Sequence, residues 1–412
     1  MKKILLMTTS LCMASSALAG GYRVSIQGQQ ALGMGHAATA MSQSAETVFF
    51  NPGAITRIGD GETITGGLTL LKSETIFQNS GTQYYAETDS PIGTPVDFYY
   101  VSKPGDSDVA VGLGIYTPYG NIVEWPTDWA GSHLVNRIEL KSLYIQPTIA
   151  VAVNDRFSVG FGPTYAIGKV DFNRNLNSSL VDEQGDRANV TVEASDVNAW
   201  GYNLGLHFKA SDAVSIGLGY RSKITLEARG EKADFEDIPN LVRTVYPDTT
   251  FDADLILPAE LAIGISWAIN PDTILAVDFN RTYWGEYEAL DIQFHNGAGE
   301  SLNPRNWEDS DIYRIGVQHR LDEDWTLRAG VYVDKTPIRD GYFAPETPRN
   351  DATGYTLGAS VKVSPQMDVD MSFLYITSDE FNASYDYHSD GPFGGRYETS
   401  ATSIGLGINY RF

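Results

Sequence analysis

The residues of this chain that can do chemistry lie far apart in the sequence. Its histidines lack metal-ligand spacing, and no serine sits in a Gly-x-Ser-x-Gly motif. Gly162, Gly168 and Lys169 resemble a phosphate-binding loop, but the glycines are one residue too far apart and Val170 replaces the Ser or Thr that binds magnesium. We expect no enzyme, metal site or cofactor. Only a hydrolase whose catalytic residues meet solely in the fold would escape this reasoning.

The segments that must position any site alternate apolar and polar residues. Leu218 and Tyr220 alternate with Gly217 and Gly219, and the same period of two recurs to Phe412. This period indicates β-strands with one apolar face and one small or polar face. No helices are available to cover the apolar face, and no second apolar run has the roughly 20 residues of a membrane-spanning helix. The apolar face must therefore contact lipid, which predicts an all-β, antiparallel transmembrane barrel over residues 62–412.

The connections between these strands alternate in length. Short turns rich in Asn, Asp, Gly, Pro and Ser lie at 103–108, 154–156, 211–212, 270–272, 322–324 and 364–366. Long polar loops lie at about 73–92, 121–138, 174–195, 229–254, 285–308, 335–351 and 379–399. These thirteen connections join fourteen strands. An even strand number with short turns on one side is the pattern of bacterial outer-membrane barrels.

Both chain ends predict export to that membrane. A basic start, an apolar stretch and an Ala-x-Ala site form a signal peptide over residues 1–19, so the mature chain begins at Gly20. Cys12, the only cysteine, falls within it, so the mature chain has no disulfide. The last strand ends on Phe412, which resembles the signal recognised by the barrel assembly machinery of Gram-negative bacteria. We expect a monomer in the outer membrane, in contact with lipid and lipopolysaccharide.

The net charge of −23 argues against nucleic acid as a partner. Acidic loops at 231–237 and 308–311 either stay solvated or bind divalent cations held by lipopolysaccharide. Four tryptophans are expected in the aromatic belts, namely Trp200 and Trp284 near the outer rim and Trp267 and Trp325 near the inner rim.

Residues 20–61 are not strand-like and are rich in Gly, Ala, Ser and Met. A free tail would expose Phe49 and Phe50 to water, and fourteen strands enclose a lumen too wide for inward side chains to fill. We expect this segment to plug the lumen as a hatch. The alternative is a loose periplasmic extension.

Several motifs resemble one known family. The segments 31–37 and 51–56 resemble its hatch, and 257–260, 311–316 and 325–330 resemble its barrel blocks. The family is FadL, the outer-membrane transporters of long-chain fatty acids and their aromatic-hydrocarbon relatives. The resemblance covers the mature chain and implies a fourteen-stranded barrel with an N-terminal hatch that admits hydrophobic molecules by passive diffusion.

The resemblance also implies a mechanism at the third strand. By themselves, Pro118 and Gly120 either end this strand at the rim or leave a gap in the wall. In the family an inward kink here opens a lateral window, which carried over comprises Tyr116, Thr117, Pro118, Tyr119 and Gly120. The hatch motif, usually Asn-Pro-Ala, corresponds to Asn51, Pro52 and Gly53. The resemblance implies that Asn51 hydrogen-bonds the unpaired backbone of the window. Because this chain has Gly53 in place of the usual alanine, we expect the local turn to be looser.

The same resemblance implies a ligand pocket lined by the mature N-terminus, including Gly20, Gly21, Tyr22 and Val24. A cargo carboxylate would need a cation, and the expected inner face carries Lys169, Lys209, Arg314 and Arg328. The predicted function is uptake of long-chain fatty acids or other small hydrophobic molecules. An adhesin or phage receptor that uses the long loops is the alternative, and the expected plug disfavours a polar porin.

Overall fold

The computed structural model of the protein describes residues 20–105 and 107–412; the predicted signal peptide and Cys12 lie outside these ranges. A single sheet of antiparallel strands dominates the described residues, which confirms the all-β prediction. No helix in the two ranges has the length and apolarity needed to cross a membrane.

The strands are numbered here in chain order. They are β1 (Gly61–Gln78), β2 (Tyr85–Glu87), β3 (Val96–Lys103), β4 (Val109–Tyr116), β5 (Gly120–Glu124), β6 (Arg137–Ala152), β7 (Phe157–Asn175), β8 (Asn189–Lys209), β9 (Val214–Arg221), β10 (Ile224–Glu236), β11 (Thr249–Leu257), β12 (Glu260–Asn270), β13 (Thr273–Thr282), β14 (Ile292–Phe294), β15 (Glu300–Ser301), β16 (Ser310–Arg320), β17 (Trp325–Asp334), β18 (Ala352–Ser364), β19 (Met367–Thr377), β20 (Phe381–Tyr385) and β21 (Phe393–Arg411).

These segments close into a barrel. β1 pairs with β21 from Thr63 opposite Arg411 to Gln78 opposite Arg396, so the first and last strands complete the ring. Three barrel strands are interrupted: β4 and β5 both pair with β6, β9 and β10 both pair with β8, and β11 leads into β12 across two residues. The described segments therefore form a fourteen-stranded antiparallel barrel, as predicted.

The lipid-facing surface follows the predicted alternation. Large apolar side chains at alternate positions are exposed, for example Leu357, Ile404 and Leu406. Trp200, 68 % exposed, lies on this outer face together with Trp267 and Trp325. All six predicted short turns separate consecutive strands in the structure. Several strands extend into segments that were predicted as loops; β1, for example, continues to Gln78. These extensions are polar and lack the apolar alternation by which a strand is recognised in a sequence.

Residues 20–60 pack against inward-facing side chains of the barrel. This hatch segment contains the helices α1 (Gln29–Gly33) and α2 (Thr47–Phe50) and a 3-10 helix, Pro52–Arg57. Its backbone meets the wall at inward-facing glycines. A Cβ atom at Gly217 would lie 2.0 Å from the Thr39 carbonyl oxygen, and one at Gly316 would lie 2.2 Å from that of Met34. The small residues of the polar face thus make room for the hatch backbone.

Candidate functional site

The third barrel strand is broken in the middle. β4 ends at Tyr116 and β5 begins at Gly120, with Pro118 between them. Below the break β4 pairs with strands on both sides, β3 and β6. Above it β5 has a regular ladder only with β6, and its other edge meets residues 88–95 through the bond from the Asp89 amide to the Glu124 carbonyl, 2.9 Å. Proline cannot donate to a ladder, so the wall is discontinuous here.

The N-terminal part of the hatch segment supplies the missing backbone partners. The Val24 amide donates to the Pro118 carbonyl at 2.9 Å, and the Gly120 amide donates to the Tyr22 carbonyl at 3.0 Å. The Gln27 side-chain amide donates to the Thr117 carbonyl at 2.6 Å. Residues 22–27, here called the N-terminal strip, therefore dock on the strand break as a short antiparallel partner.

The expectation that Asn51 bonds the third strand is wrong. Asn51 is fully buried, and its side-chain amide donates to the carbonyls of Thr39 and Leu206, both at 2.9 Å. Its side-chain oxygen accepts from the Gly53 amide at 3.0 Å, which caps the 3-10 helix. Both hydrogens of its side-chain amide are therefore used on the hatch and on β8. The motif therefore fixes the hatch to a different part of the wall.

Glycine is required at position 53 for a steric reason, whereas the sequence suggests only a looser turn. A Cβ atom at Gly53 would lie 2.6 Å from the carbonyl oxygen of Gly205 in β8. Gly205 in turn would place a Cβ atom 2.5 Å from the Gly53 nitrogen. Two glycines face each other, so that hatch and wall touch backbone to backbone. The hatch does reach the third strand, but through α2: the Phe49 and Tyr116 rings lie 4.9 Å apart.

Tyr22 stands at the centre of an aromatic cluster in the lumen. Its ring lies 4.7 Å from Trp284, 5.6 Å from Tyr287 and 6.1 Å from Tyr119, and Trp307 completes the set. Its hydroxyl donates to the Ile256 carbonyl. Burial, followed by the neighbouring tyrosines, raises the pKa of Tyr22 well above its ordinary value, so the hydroxyl stays protonated. We call these five rings the aromatic floor.

Trp284 therefore does not belong to the aromatic belt predicted for it. Its side chain is fully buried, because the 3-10 turn Trp284–Glu286 directs the ring into the lumen. Gly21, with φ of 59°, rests on the same rings: a Cβ atom there would lie 2.6 Å from Trp307. Gly20 lies beside Asp334, whose carboxylate oxygen would be 2.6 Å from its Cβ atom. The resemblance implied that both glycines line the ligand pocket; in the structure both are buried, and neither lines the two cavities described below.

Above the aromatic floor lies a lumenal pocket with about 100 Å³ of free space. Its walls are mainly apolar and come from inward positions of β6, β7, β8, β10 and β11 and from the loops. Tyr22 lines it from below, whereas Arg174 and Arg305 stand on its walls. Arg305 is paired with buried Glu346. Arg174 donates to the Ser301 hydroxyl at 2.9 Å and has no ion pair within the described residues.

A second cavity of about 560 Å³ lies beside the strand break and is lined by residues from both faces of the wall. On β6, buried Leu140 and Ser142 line its inner side, while Lys141 and Leu143 from the outward-facing positions line its outer side. Val24 and further strip residues form part of the inner lining. We call this cavity the wall opening. Thr117 and Gly120 of the predicted window line it directly.

Two cations that were predicted to bind the cargo carboxylate, Arg314 and Lys169, do not face the lumenal pocket. Arg314 is buried, but its guanidinium donates to Asn280, to the Gly35 carbonyl at 3.1 Å and to Ser25, so it anchors the hatch. Lys169 was expected on the inner face and lies on the outer one, opposite Lys141 in the ladder. The period of two in β7 puts Gly168 inside, and a shift of one residue reverses the side. Lys169 nonetheless borders the wall opening.

The remaining expected cations also serve the structure. Lys209 lies at a periplasmic turn and pairs with Asp212 at 3.0 Å, while Arg328 faces inward and donates to Gln318 at 2.8 Å. Within residues 20–105 and 107–412, no group of three or more His, Cys, Asp or Glu side chains is arranged to hold a metal ion.

Known proteins give a consistent identification. The family model described as outer membrane protein transport protein (OMPP1/FadL/TodX) matches residues 10–412. The long-chain fatty acid transport protein of Escherichia coli K12 is 21 % identical, over 97 % of this chain and 96 % of its own. The Pseudomonas aeruginosa FadL homologue superposes with a TM-score of 0.83 at 18 % identity, over 95 % of this chain and 100 % of its own.

The toluene transporter TbuX of Ralstonia pickettii superposes with a TM-score of 0.70 at 17 % identity, over 93 % of this chain and 98 % of its own. These relatives are transport proteins, which confirms that the chain is not an enzyme, and the family name confirms the outer-membrane location. The broken strand, the docked strip and the match along nearly the whole sequence place the chain in the FadL/TodX family of outer-membrane transport proteins.

Proposed function

We propose that the protein admits small hydrophobic molecules passively, from the lumenal pocket sideways through the wall opening into the outer membrane. The observation that carries this proposal is the wall opening itself, lined by inward and outward residues of the same strand. The names of the relatives above include fatty acid and toluene transport, so hydrophobic cargo fits both. An adhesin or phage receptor has no need of a cavity through its wall.

The energetics favour a sideways exit. Each CH₂ group that leaves an apolar environment for water costs about 0.8 kcal/mol, so release of a long acyl chain into the periplasm would be strongly uphill. The inner surface of the wall opening includes Val24, Leu71 and Ile376, and its outer edge reaches lipid-facing Leu143 and Ile167. A chain moving through it stays in apolar contact until it enters the bilayer.

The N-terminal strip is the barrier between the two cavities. Tyr22 lines the lumenal pocket, and Arg23 and Val24 line the wall opening, whereas Asn121 and Leu140 border both. Displacement of these few hatch residues would therefore join the cavities into one path. The strip is held by bonds to residues 117–120 and by the ion pairs of Arg23 with Glu260 and Asp334. None of these contacts belongs to the barrel ladder, so the strip can open locally without unfolding of the barrel.

A reversible cross-link across the wall opening tests this route. A Cβ atom at Gly93 would lie 3.9 Å from the end of the Ile122 side chain, and both residues line the cavity. The double variant Gly93→Cys/Ile122→Cys places two thiols close together in this cavity, and gels would select the oxidation conditions that join them in a disulfide, which the mature chain otherwise lacks. Uptake of labelled oleate would be measured in cells without their own fatty acid transporter, and we expect it to fall to background on oxidation and to recover on reduction.

The control is Leu357→Cys/Phe373→Cys, a pair directly opposite each other on the outer face of the closed ladder. Its oxidation should leave uptake unchanged. Gly93→Trp, which fills the same space without a cross-link, should resemble the oxidised test variant. Full uptake by the oxidised Gly93/Ile122 protein, with the disulfide verified on gels, would exclude lateral exit.

A further inference from the structure

The wall opening carries an unpaired cation at each end. Arg349, on the loop between β17 and β18, lines the opening on its inner side and also borders another cavity among the loops. Within the described residues its guanidinium makes no hydrogen bond or ion pair, and its Nε atom is buried without a partner. The contrast is Arg23 in the same lining, which bonds Glu260 at 3.0 Å and Asp334 at 3.5 Å.

At the outer end is Lys169. It lies on the exposed face of β7, directly opposite Lys141 in the ladder. Lys141 is paired with Glu139, whereas Lys169 has no ion pair within the described part of the chain. Like charges directly opposite each other on a sheet repel, so Lys141 does not stabilise this lysine. On the β8 side Lys169 faces the register shift at Ser195 and Asp196, which also line the opening, and no ion pair joins Lys169 to Asp196.

An unpaired guanidinium in such a place needs an explanation. Burial of a charge costs several kcal/mol unless an opposite charge or hydrogen bonds compensate it. The inner side chains of the opening include apolar Leu71, Ile376 and Ala401 beside the neutral polar residues Ser73 and Ser142. The surroundings therefore suit a ligand with one anionic group and an apolar body, and a guanidinium fork matches a carboxylate in shape.

We propose that Arg349 binds the carboxylate of an acyl-chain cargo inside the wall opening and that Lys169 binds it at the outer lip. This inference rests on the proposed function and deepens it. The two cations make the opening selective for anionic amphiphiles over neutral molecules of equal length. Arg174 serves the lumenal pocket above the floor, so Arg349 is a separate site on the far side of the N-terminal strip.

The test compares an acid with its neutral analogue. Cells lacking their own fatty acid transporter would express the parent chain, Arg349→Gln, Arg349→Lys or Lys169→Gln, and uptake of labelled oleate and oleyl alcohol would be measured below saturation. Loss of a charged hydrogen-bonded contact predicts about a tenfold fall in oleate uptake for Arg349→Gln and a smaller fall for Lys169→Gln. Oleyl alcohol uptake should not change, and Arg349→Lys should retain most oleate uptake.

The matched control is Arg339→Gln in the same loop, because Arg339 pairs with Glu308 at 3.3 Å and does not line the wall opening. It should transport both compounds like the parent. Removal of an unpaired charge leaves no orphaned partner, so the thermal midpoint of Arg349→Gln should not fall below that of the parent. A lower midpoint would indicate a structural role and overturn the proposal.

The remaining outcomes separate this inference from the proposed function. Unchanged oleate uptake by Arg349→Gln, or an equal fall for oleate and oleyl alcohol, would refute the headgroup site while transport itself stands. Unchanged oleate uptake together with loss of co-purifying lipopolysaccharide would assign the site to a lipid phosphate and also overturn the proposal. If the parent admits neither compound, the proposed function fails before the variants are compared.

Discussion

Replacement of Tyr22 by alanine should open the barrier between the lumenal pocket and the wall opening. Tyr22 is 3 % exposed and contacts Trp284 and Tyr287 edge-on at 4.7 and 5.6 Å. Its hydroxyl also bonds the Ile256 carbonyl. Truncation of a buried aromatic side chain costs about 3–5 kcal/mol. Because the ladder of the barrel does not depend on this ring, the loss falls on docking of the N-terminal strip.

The assay is hydrogen exchange at two amides that report on this docking. The Val24 amide donates to Pro118, and the Gly120 amide donates to the Tyr22 carbonyl. A docking loss of about 3–5 kcal/mol corresponds to a hundredfold to few-thousandfold rise in the open population, and exchange at both sites should accelerate accordingly. Leakage of a hydrophobic dye across the outer membrane should increase in parallel.

Two comparisons make this result specific. Tyr22→Phe keeps the ring and loses only the bond to Ile256, about 1 kcal/mol, so exchange should rise by about fivefold. Tyr397→Ala removes an equally buried tyrosine from an external cluster with Phe77 and Phe343, away from the hatch. It should leave both reporter amides at the parental rate. If Tyr22→Ala exchanges no faster than Tyr397→Ala, the strip is not the barrier.

Two further predictions concern the body of the hatch. Gly217→Val places side-chain atoms against the Thr39 carbonyl, which lies only 2.0 Å from the Cβ position. The hatch should therefore become protease-sensitive, while the barrel still migrates on gels as a folded, heat-modifiable species. Leu218→Val, on the outer face of the same strand, is the neutral control. Burial, with Asp370 and Asp97 nearby, raises the pKa of Glu46 from 4.5 to about 8. Since only the protonated carboxyl suits this site, the contribution of Glu46 is full below about pH 4.5 and is lost as the pH rises toward 8. Glu46→Gln should flatten this dependence in protease-protection measurements, and an unchanged pH profile would contradict the assignment.

The strands and short turns could be predicted because their physical cause is local. The period of two and the turn residues at positions such as 270–272 stand in the sequence itself, and the structure confirms them. Which face of the wall a side chain occupies is harder to predict. In the run from Gly168 to Val170, β8 carries an irregularity opposite β7, and small and polar residues occur on both faces, so Lys169 was placed on the wrong side.

The candidate site depends on contacts between distant segments. Tyr22 meets Trp284 and Trp307 only because a turn and a long loop fold into the lumen. The family resemblance predicts that Asn51 bonds the third strand, whereas its partner Leu206 lies on β8. Arg349 gave no signal at all, because a lone arginine in a polar loop resembles many solvated ones. A pair of facing glycines, Gly53 and Gly205, was the nearest available hint of where the hatch touches the wall.

The body and the N-terminal strip of the hatch segment are held to the barrel by different contacts. Its body is fixed by backbone contact at glycines and by buried polar bonds, such as those from the Ala38 and Thr39 amides to Asp278 at 2.9 and 2.8 Å. Loosening it would leave a buried carboxylate unsatisfied. At the strand break the N-terminal strip exchanges neutral bonds with residues 117–120, and elsewhere Arg23 of the strip pairs with buried Glu260 and Asp334. The proposed sideways route therefore requires the strip to undock and the Arg23 ion pairs to break, while the body of the hatch segment stays in place.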